Sequence, residues 1–304
     1  MAEDLLIIAS SPHIRAKDTV QSIMYSVAIA LLPAVAAGVY FFGWYALAIV
    51  LVSIGSAVAA EVVWQKLRGQ ALRVSDGSAI VTGLLLAMNL PPTAPLWMAA
   101  LGSAVAIIIG KQVYGGLGAN PFNPALVGRV FLTASFPMLM TKWALPAGYD
   151  AIASATPLAV MKAGGTVPLT NLFFGSIPGC LGETSALALL IGGIYLLIKG
   201  HIDYRIVTGI FGSVVVLSLL MGLDPVAQLL AGGLMLGALF MATDMVTSPV
   251  TPKGRWVFGI GVGLLVMLIR NGAGMPEGVS FSILLMNAAV PLINRTTRPR
   301  IYGR

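Results

Sequence analysis

Two stretches of the chain concentrate side chains able to hold or modify a ligand. Asp150 to Leu158 reads DAIASATPL, with the carboxylate of Asp150 ahead of Ser154, Ala155 and Thr156. On residue types alone this is a helix start, with Thr156 as N-cap and Pro157 at the first helical position. The second stretch, GGLGANPFNPALVGR, sets Gly115, Gly116, Gly118, Asn120, Asn123 and Arg129 at the beginning of an apolar run. Exposed backbone and amides there suit either a polar ligand or a kink with hydrogen bonds between helices. Arg129 falls well inside the run, where an unpaired charge costs several kcal/mol, so it requires a carboxylate, carbonyl or ligand partner.

The chain that must position these groups has 304 residues, of which 58% are apolar and 10% charged, with a mean hydropathy of +0.92. That leaves too little polar surface for a globule facing water, and the lipid bilayer is the expected solvent. Apolar runs predict ten spans, near 20 to 42, 44 to 63, 78 to 90, 96 to 109, 120 to 136, 183 to 199, 206 to 221, 226 to 242, 256 to 270 and 279 to 293. The fold class is therefore an all-α integral membrane protein in one membrane domain. Ser78 to Asn89 spans only about 18 Å at about 1.5 Å per residue before Pro91 and Pro92, which marks a broken or re-entrant helix.

The net charge of +7 does not indicate nucleic acid. Most basic residues lie in short loops on alternate sides of the spans, from Arg15 and Lys17 through Lys66, Arg68, Arg73, Lys111, Lys199, Arg205, Lys253 and Arg255 to the tail after Arg295. Such a bias places both termini in the cytoplasm and leaves Lys142, Lys162 and Arg270 on the outer face, together with the long segment 137–182. The N-terminus has no basic region leading to a cleavage site, so the first span is expected to remain as an uncleaved anchor. Cys180 is the single cysteine, which rules out a four-thiolate iron–sulfur cluster or internal disulfide within the chain. His13 and His201 fall in predicted loops, against a buried bis-histidine haem.

A faint internal echo links TGLLLAMNLPPTAPLW and KQVYGGLGANPFNPALVG to GGLMLGALFMATDMVTSPVTPKGRW and RNGAGMPEGVSFSILLMN. Five spans separate the copies, which inverts the second and places binding sites at the repeat interface. The division is repeat one at about 20–136, the outer segment at 137–182, repeat two at about 183–293 and a cytoplasmic tail at 294–304. Glu61, Asp76 and Asp244 fall near cytoplasmic membrane edges and Glu183 and Asp224 near the outer edge, positions that serve cation passage or the interface alike. Trp44, Trp97 and Trp256 fit interfacial belts.

DAIASATPL resembles the flavinylation motif of the D subunit of the Rnf complex and of its homologue, the B subunit of the sodium-pumping NADH:quinone oxidoreductase. The likeness continues through SSPHIRAKDTVQSIMYSVAIALLPA, SDGSAIVTGLLLAMNLPP, KQVYGGLGANPFNPALVGRVFL and ATDMVTSPVTPKGRWVFG, nearly the whole chain. It departs at Ala153 and Ser154, where the family often carries Ser or Thr followed by Gly. SATPL and the ending RPRIYG favour the Rnf D subunit.

That resemblance implies FMN joined to Thr156 through a phosphoester, with Asp150, Ser154 and Ala155 completing the motif, and a second, non-covalent flavin, riboflavin, at Asn120, Asn123 and Arg129. Paired amides would serve the pyrimidine edge of an isoalloxazine ring, and apolar neighbours such as Phe122 its faces. It further implies electron relay coupled to Na+ or H+ transport in a bacterial inner-membrane complex with the FMN-bearing G subunit and the membrane A and E subunits, matured by a flavin transferase. No bond-making catalytic centre or metal site is expected in the chain itself. The alternatives are the quinone-reducing homologue and, from another class, a solute channel or transporter, since an inverted repeat with broken helices also suits solute passage.

Overall fold

A computed structural model describes residues 18–145, 155–272 and 278–299. His13, Asp150 and Ser154 lie outside the described residues, as do residues 300–304 of the tail. Among the described residues all regular structure is helical. The first half holds α1 (Val20–Phe42), α2 (Trp44–Leu67), α3 (Ser78–Met88), α4 (Leu96–Ile108) and α5 (Pro124–Ser135). Three short helices follow, α6 (Pro137–Met140), α7 (Pro157–Lys162) and α8 (Leu169–Phe174). The second half holds α9 (Ala186–Lys199), α10 (Tyr204–Leu220), α11 (Pro225–Leu230), α12 (Leu234–Leu236), α13 (Pro252–Gly272) and α14 (Val279–Thr296).

Among the described residues, five helical segments are long and apolar enough to cross a membrane: α1, α2, α4 continued to Tyr114, α13 and α14. Helices α3, α5, α9 and α10 are apolar but shorter. Their boundaries follow local chemistry. Asn123 accepts from the backbone N–H groups of Ala125 and Leu126 with Pro124 at the first helical position, so α5 begins there rather than at 120. Asp224 and Pro225 start α11 in the same way. Gly43, at φ 79°, is the whole connection between α1 and α2.

The predicted span 226–242 is not one helix. Helix α11 stops at Leu230, Ala231 is extended, Gly232 takes a positive φ of 62°, and helix resumes as α12 with a π turn over Gly237–Met241. Adjacent glycines supply the backbone freedom for this break. Helix α3 ends because a residue preceding proline is driven out of the helical region, here ahead of Pro91 and Pro92. The polar segment after α8 covers that break: Leu181 N donates to Leu90 O at 3.1 Å and Gly182 N to Met88 O at 2.7 Å.

Packing relates the halves. Helix α2 lies on α3 and α4, and α10 on α13; α4 meets α5, and α13 meets α14; α1 pairs with α9 across the molecule, and α5 with α14. Lipid tails are as apolar as leucine, so helices in a bilayer associate through close van der Waals approach at small residues. Gly192 of α9 is such a point. A methyl group there would overlap the Ala30 carbonyl of α1 and press the Phe240 ring. Gly192→Ala should lower the thermal unfolding temperature in detergent, in line with an overpacking penalty of about 1–3 kcal/mol. Gly212→Ala, where an added methyl meets nothing within 4 Å, should leave it unchanged.

Asp203 joins α10 to α13. Its Oδ1 accepts from Arg205 N at 2.8 Å, and its Oδ2 from the guanidinium groups of Arg205 at 3.1 Å and Arg255 at 2.5 Å. Burial pushes the carboxyl up, but the Arg205 backbone N–H and the Arg255 guanidinium outweigh it and hold the group below the ordinary aspartate range. With the folded pKa below the unfolded value of about 3.9, this stabilisation is present above that value and is lost as pH falls through the folded one. Asp203→Asn should therefore unfold more readily than native protein at pH 7, and the gap in melting temperature should close as the pH is lowered.

Candidate functional site

Among the described residues, three neighbouring places hold the buried polar groups that concern the expected site. At the centre, Arg129 of α5 donates to Asn89 Oδ1 at the end of α3, lies 3.6 Å from Cys180 Sγ, and approaches Glu183 Oε1 at 3.9 Å. Glu183 also accepts from the backbone: Gly233 N at 2.8 Å and Cys180 N at 3.4 Å. Cys180 Sγ reaches Asn89 O at 3.2 Å, and Asn89 Nδ2 bonds Leu85 O at 2.6 Å. Thus the arginine required to have a partner sits among the broken ends of α3 and α11 and the segment that covers them, and its charge is compensated by a buried carboxylate.

Towards the end that carries Lys162 and Arg270, Thr156 adjoins this cluster. It is 7% exposed, caps α7 by accepting from Ala159 N at 3.3 Å, and shares a crevice with Pro178, Glu183 and Gly232. Ala155 precedes it and is exposed. Towards the other end, a cavity of about 80 Å³ opens between the halves. Asn120, Asn123, Ser78 and Lys111 line it from the first half, and His201, Thr243 and Asp244 from the second.

Within this cavity the two asparagines do different work. Asn123 spends its Oδ1 on the α5 cap and its Nδ2 on Met241 O at 3.3 Å, which fixes the first half to the π turn of the second. Asn120 donates to Phe122 O at 3.1 Å, while its Oδ1 is buried without a hydrogen-bond partner. A buried acceptor left unmade costs about 1–3 kcal/mol, so Asn120 Oδ1 can still take a donor. Phe122 contributes its carbonyl rather than lining the cavity. Arg129 is not part of this lining either; it belongs to the central cluster. Val246 N and the Thr247 hydroxyl donate to the two oxygens of Asp244 at 3.2 and 3.1 Å, whereas burial works against them and raises the carboxyl above the ordinary range.

The match to known proteins covers this whole arrangement. The model of the NQR2, RnfD, RnfE family aligns with residues 7–303. The chain belongs to that family. It is 53% identical to the D subunit of the Na(+)-translocating ferredoxin:NAD(+) oxidoreductase complex of Acetobacterium woodii, over 100% of this chain and 97% of that one. It is 44% identical to the D subunit of the proton-translocating ferredoxin:NAD(+) oxidoreductase complex of Clostridium ljungdahlii, over 99% and 97%. Identity to the D subunit of the ion-translocating oxidoreductase complex of Stutzerimonas stutzeri is 43%, over 95% and 93%.

In this NQR2, RnfD, RnfE family member, several polar residues escape a reading of the sequence alone. Lys111, placed by its type among topology signals, is 1% exposed, with Nζ 2.6 Å from both Glu61 Oε1 and Ser78 Oγ. Gln112 Nε2 adds a second donor to the same carboxylate oxygen at 2.7 Å, and Gln65 Nε2 a third at 3.2 Å. Asn89 is visible in the sequence only as the end of a proline-broken stretch, and Cys180 and His201 only as a lone thiol and a loop histidine. Removing one member of a buried ion pair leaves an uncompensated charge at about 3–5 kcal/mol, whereas replacing both with apolar groups of similar volume is far milder. Glu61→Leu and Lys111→Met should each lower thermal stability strongly, and the two combined less than the sum, read as the coupling energy of a double-mutant cycle.

Proposed function

We propose that this chain is the flavin-carrying membrane subunit of an ion-translocating ferredoxin:NAD+ oxidoreductase complex of the Rnf type. The observation that carries the reading is end-to-end similarity to relatives bearing that name, in a chain that also keeps the DAIASATPL segment. In this reading the chain is a multi-pass inner-membrane protein with both termini in the cytoplasm and α7 on the outer side. Two arrangements support that topology. Lys162 Nζ donates to Arg270 O at 3.3 Å, which draws together two of the basic residues assigned to the outer face, while Arg255 and Arg205 meet at Asp203 on the other.

Ten membrane segments in two inverted halves fit the packing, since α2 on α4 corresponds to α10 on α13, and α1 with α9 and α5 with α14 become the pairs related by the pseudo-axis. The partners are the FMN-bearing G subunit, the membrane A and E subunits and a flavin transferase for maturation.

FMN would be held by an ester at Thr156 Oγ1, and a second flavin, riboflavin, in the cavity between the halves. Bound flavin supplies electron transfer in single steps, which no side chain here offers. The donor set suits it. Thr156 Oγ1 acts only as an acceptor towards Ala159 N, a role that an ester oxygen retains, so the cap and the ester are compatible. Asn120 Oδ1 is the buried acceptor an N–H on the ring would satisfy. Met24, Val27, Leu85 and Phe240 supply apolar flanks, and at about 80 Å³ the cavity admits the ring only as such side chains spread. Asn123 positions the wall. The Arg129, Asn89 and Glu183 cluster would lie between the two flavin places.

In-gel fluorescence of denatured native protein, made alongside the transferase, should show covalent flavin, and Thr156→Val should abolish it. A fluorescent Thr156→Val band would place the ester elsewhere. No fluorescence in either would leave Thr156 as a helix cap only.

A further inference from the structure

The cavity between the halves has an uneven charge pattern. Its cation, Lys111, is consumed: Glu61 and Ser78 hold the ammonium at 2.6 Å each. On the opposite wall Asp244 has one protein donor on each carboxylate oxygen. A carboxylate accepts about four hydrogen bonds, so half of its capacity remains for a ligand. Donors arriving there would also favour its ionised form against the effect of burial.

A flavin presents two kinds of group along its side chain. The ribityl hydroxyls donate hydrogen bonds. A terminal phosphate offers acceptors and a charge of about −1.5 to −2 at neutral pH. Resting on the flavin reading of this cavity, we propose that Asp244 is its specificity-determining residue: it receives the ribityl hydroxyls, while its carboxylate, on the wall it shares with His201, disfavours the phosphate of a phosphorylated chain. Asn120 on the first half would take the ring edge and Asp244 on the second the chain, so the two halves divide the recognition between them. The site thereby takes dephosphorylated flavin while Thr156 takes FMN through its phosphate, and one cell's flavin pool fills both places without exchange.

The test uses the full-length chain in detergent, native and Asp244→Asn, denatured so that non-covalent flavin is released and separated by chromatography. Native protein should release riboflavin with little FMN, and Asp244→Asn should raise the ratio of FMN to riboflavin by about tenfold or more, the factor that about 1.4 kcal/mol of altered discrimination produces. An unchanged ratio in a variant that still carries covalent flavin overturns the proposal and leaves the cavity as a flavin site. Release of no flavin from native protein overturns both. Should Asp244→Asn not fold, native protein is incubated with excess riboflavin or FMN and the exchanged flavin measured. Preference for riboflavin supports the proposal, and equal exchange of FMN overturns it.

Discussion

Backbone buried inside the protein has no water to bond with, and among the described residues this chain interrupts its apolar helices in the interior at two places. Helix α3 ends at Asn89, and α11 gives way to Ala231–Gly233 before α12. Every N–H and C=O freed by such breaks must be met from within the protein. The segment after α8 meets part of this need through Leu181 N to Leu90 O and Gly182 N to Met88 O. Side chains meet others: Asn89 reaches back to Leu85 O, and Glu183 receives Gly233 N. Arg129 then compensates the carboxylate that this solution buries. The central cluster is thus a consequence of the breaks, and the breaks let the halves face each other with polar backbone rather than continuous helix.

The same interruption shapes the cavity on one side of the cluster. The π turn after α12 offers Met241 O to Asn123, and Asn123 in turn caps α5. One amide therefore fixes a helix start in the first half and its distance from the second half together. Asn120, ahead of the helix, is left with an acceptor that meets no donor among the described residues.

Charge is handled economically in the same sense. Glu61 Oε1 gathers donors from Lys111, Gln112 and Gln65 while Oε2 is buried without one, at the edge of a polar vestibule of about 730 Å³ that also reaches Asp76 and Gln112. Lys111 stands between that vestibule and the cavity, since Glu61 lines the one and Lys111 the other. A buried pair of this kind is weak evidence for stability, because desolvation offsets much of the attraction.

Much of the architecture was legible in the sequence because bilayer thickness and proline act locally. Each of the ten apolar runs contains helix, the short run before Pro91 is indeed short, and Thr156 caps a helix beginning at Pro157, since hydropathy and cap chemistry depend only on neighbouring residues. The break inside 226–242 was hidden, because glycine is ordinary in membrane helices and Gly232–Gly233 carries no polar signal. The necessity of a partner for Arg129 could be derived from its depth, but its identity could not. Glu183 and Asn89 are distant along the chain, and only the return of the segment after α8 to the end of α3 brings them together. Likewise Lys111 read as a topology signal until folding placed it on Glu61, and Asp244 became a cavity wall only when the second half closed against the first. Sequence sets what each segment must do in lipid; tertiary structure decides which distant groups satisfy one another, because desolvation forces every buried polar atom to find a partner in space rather than along the chain.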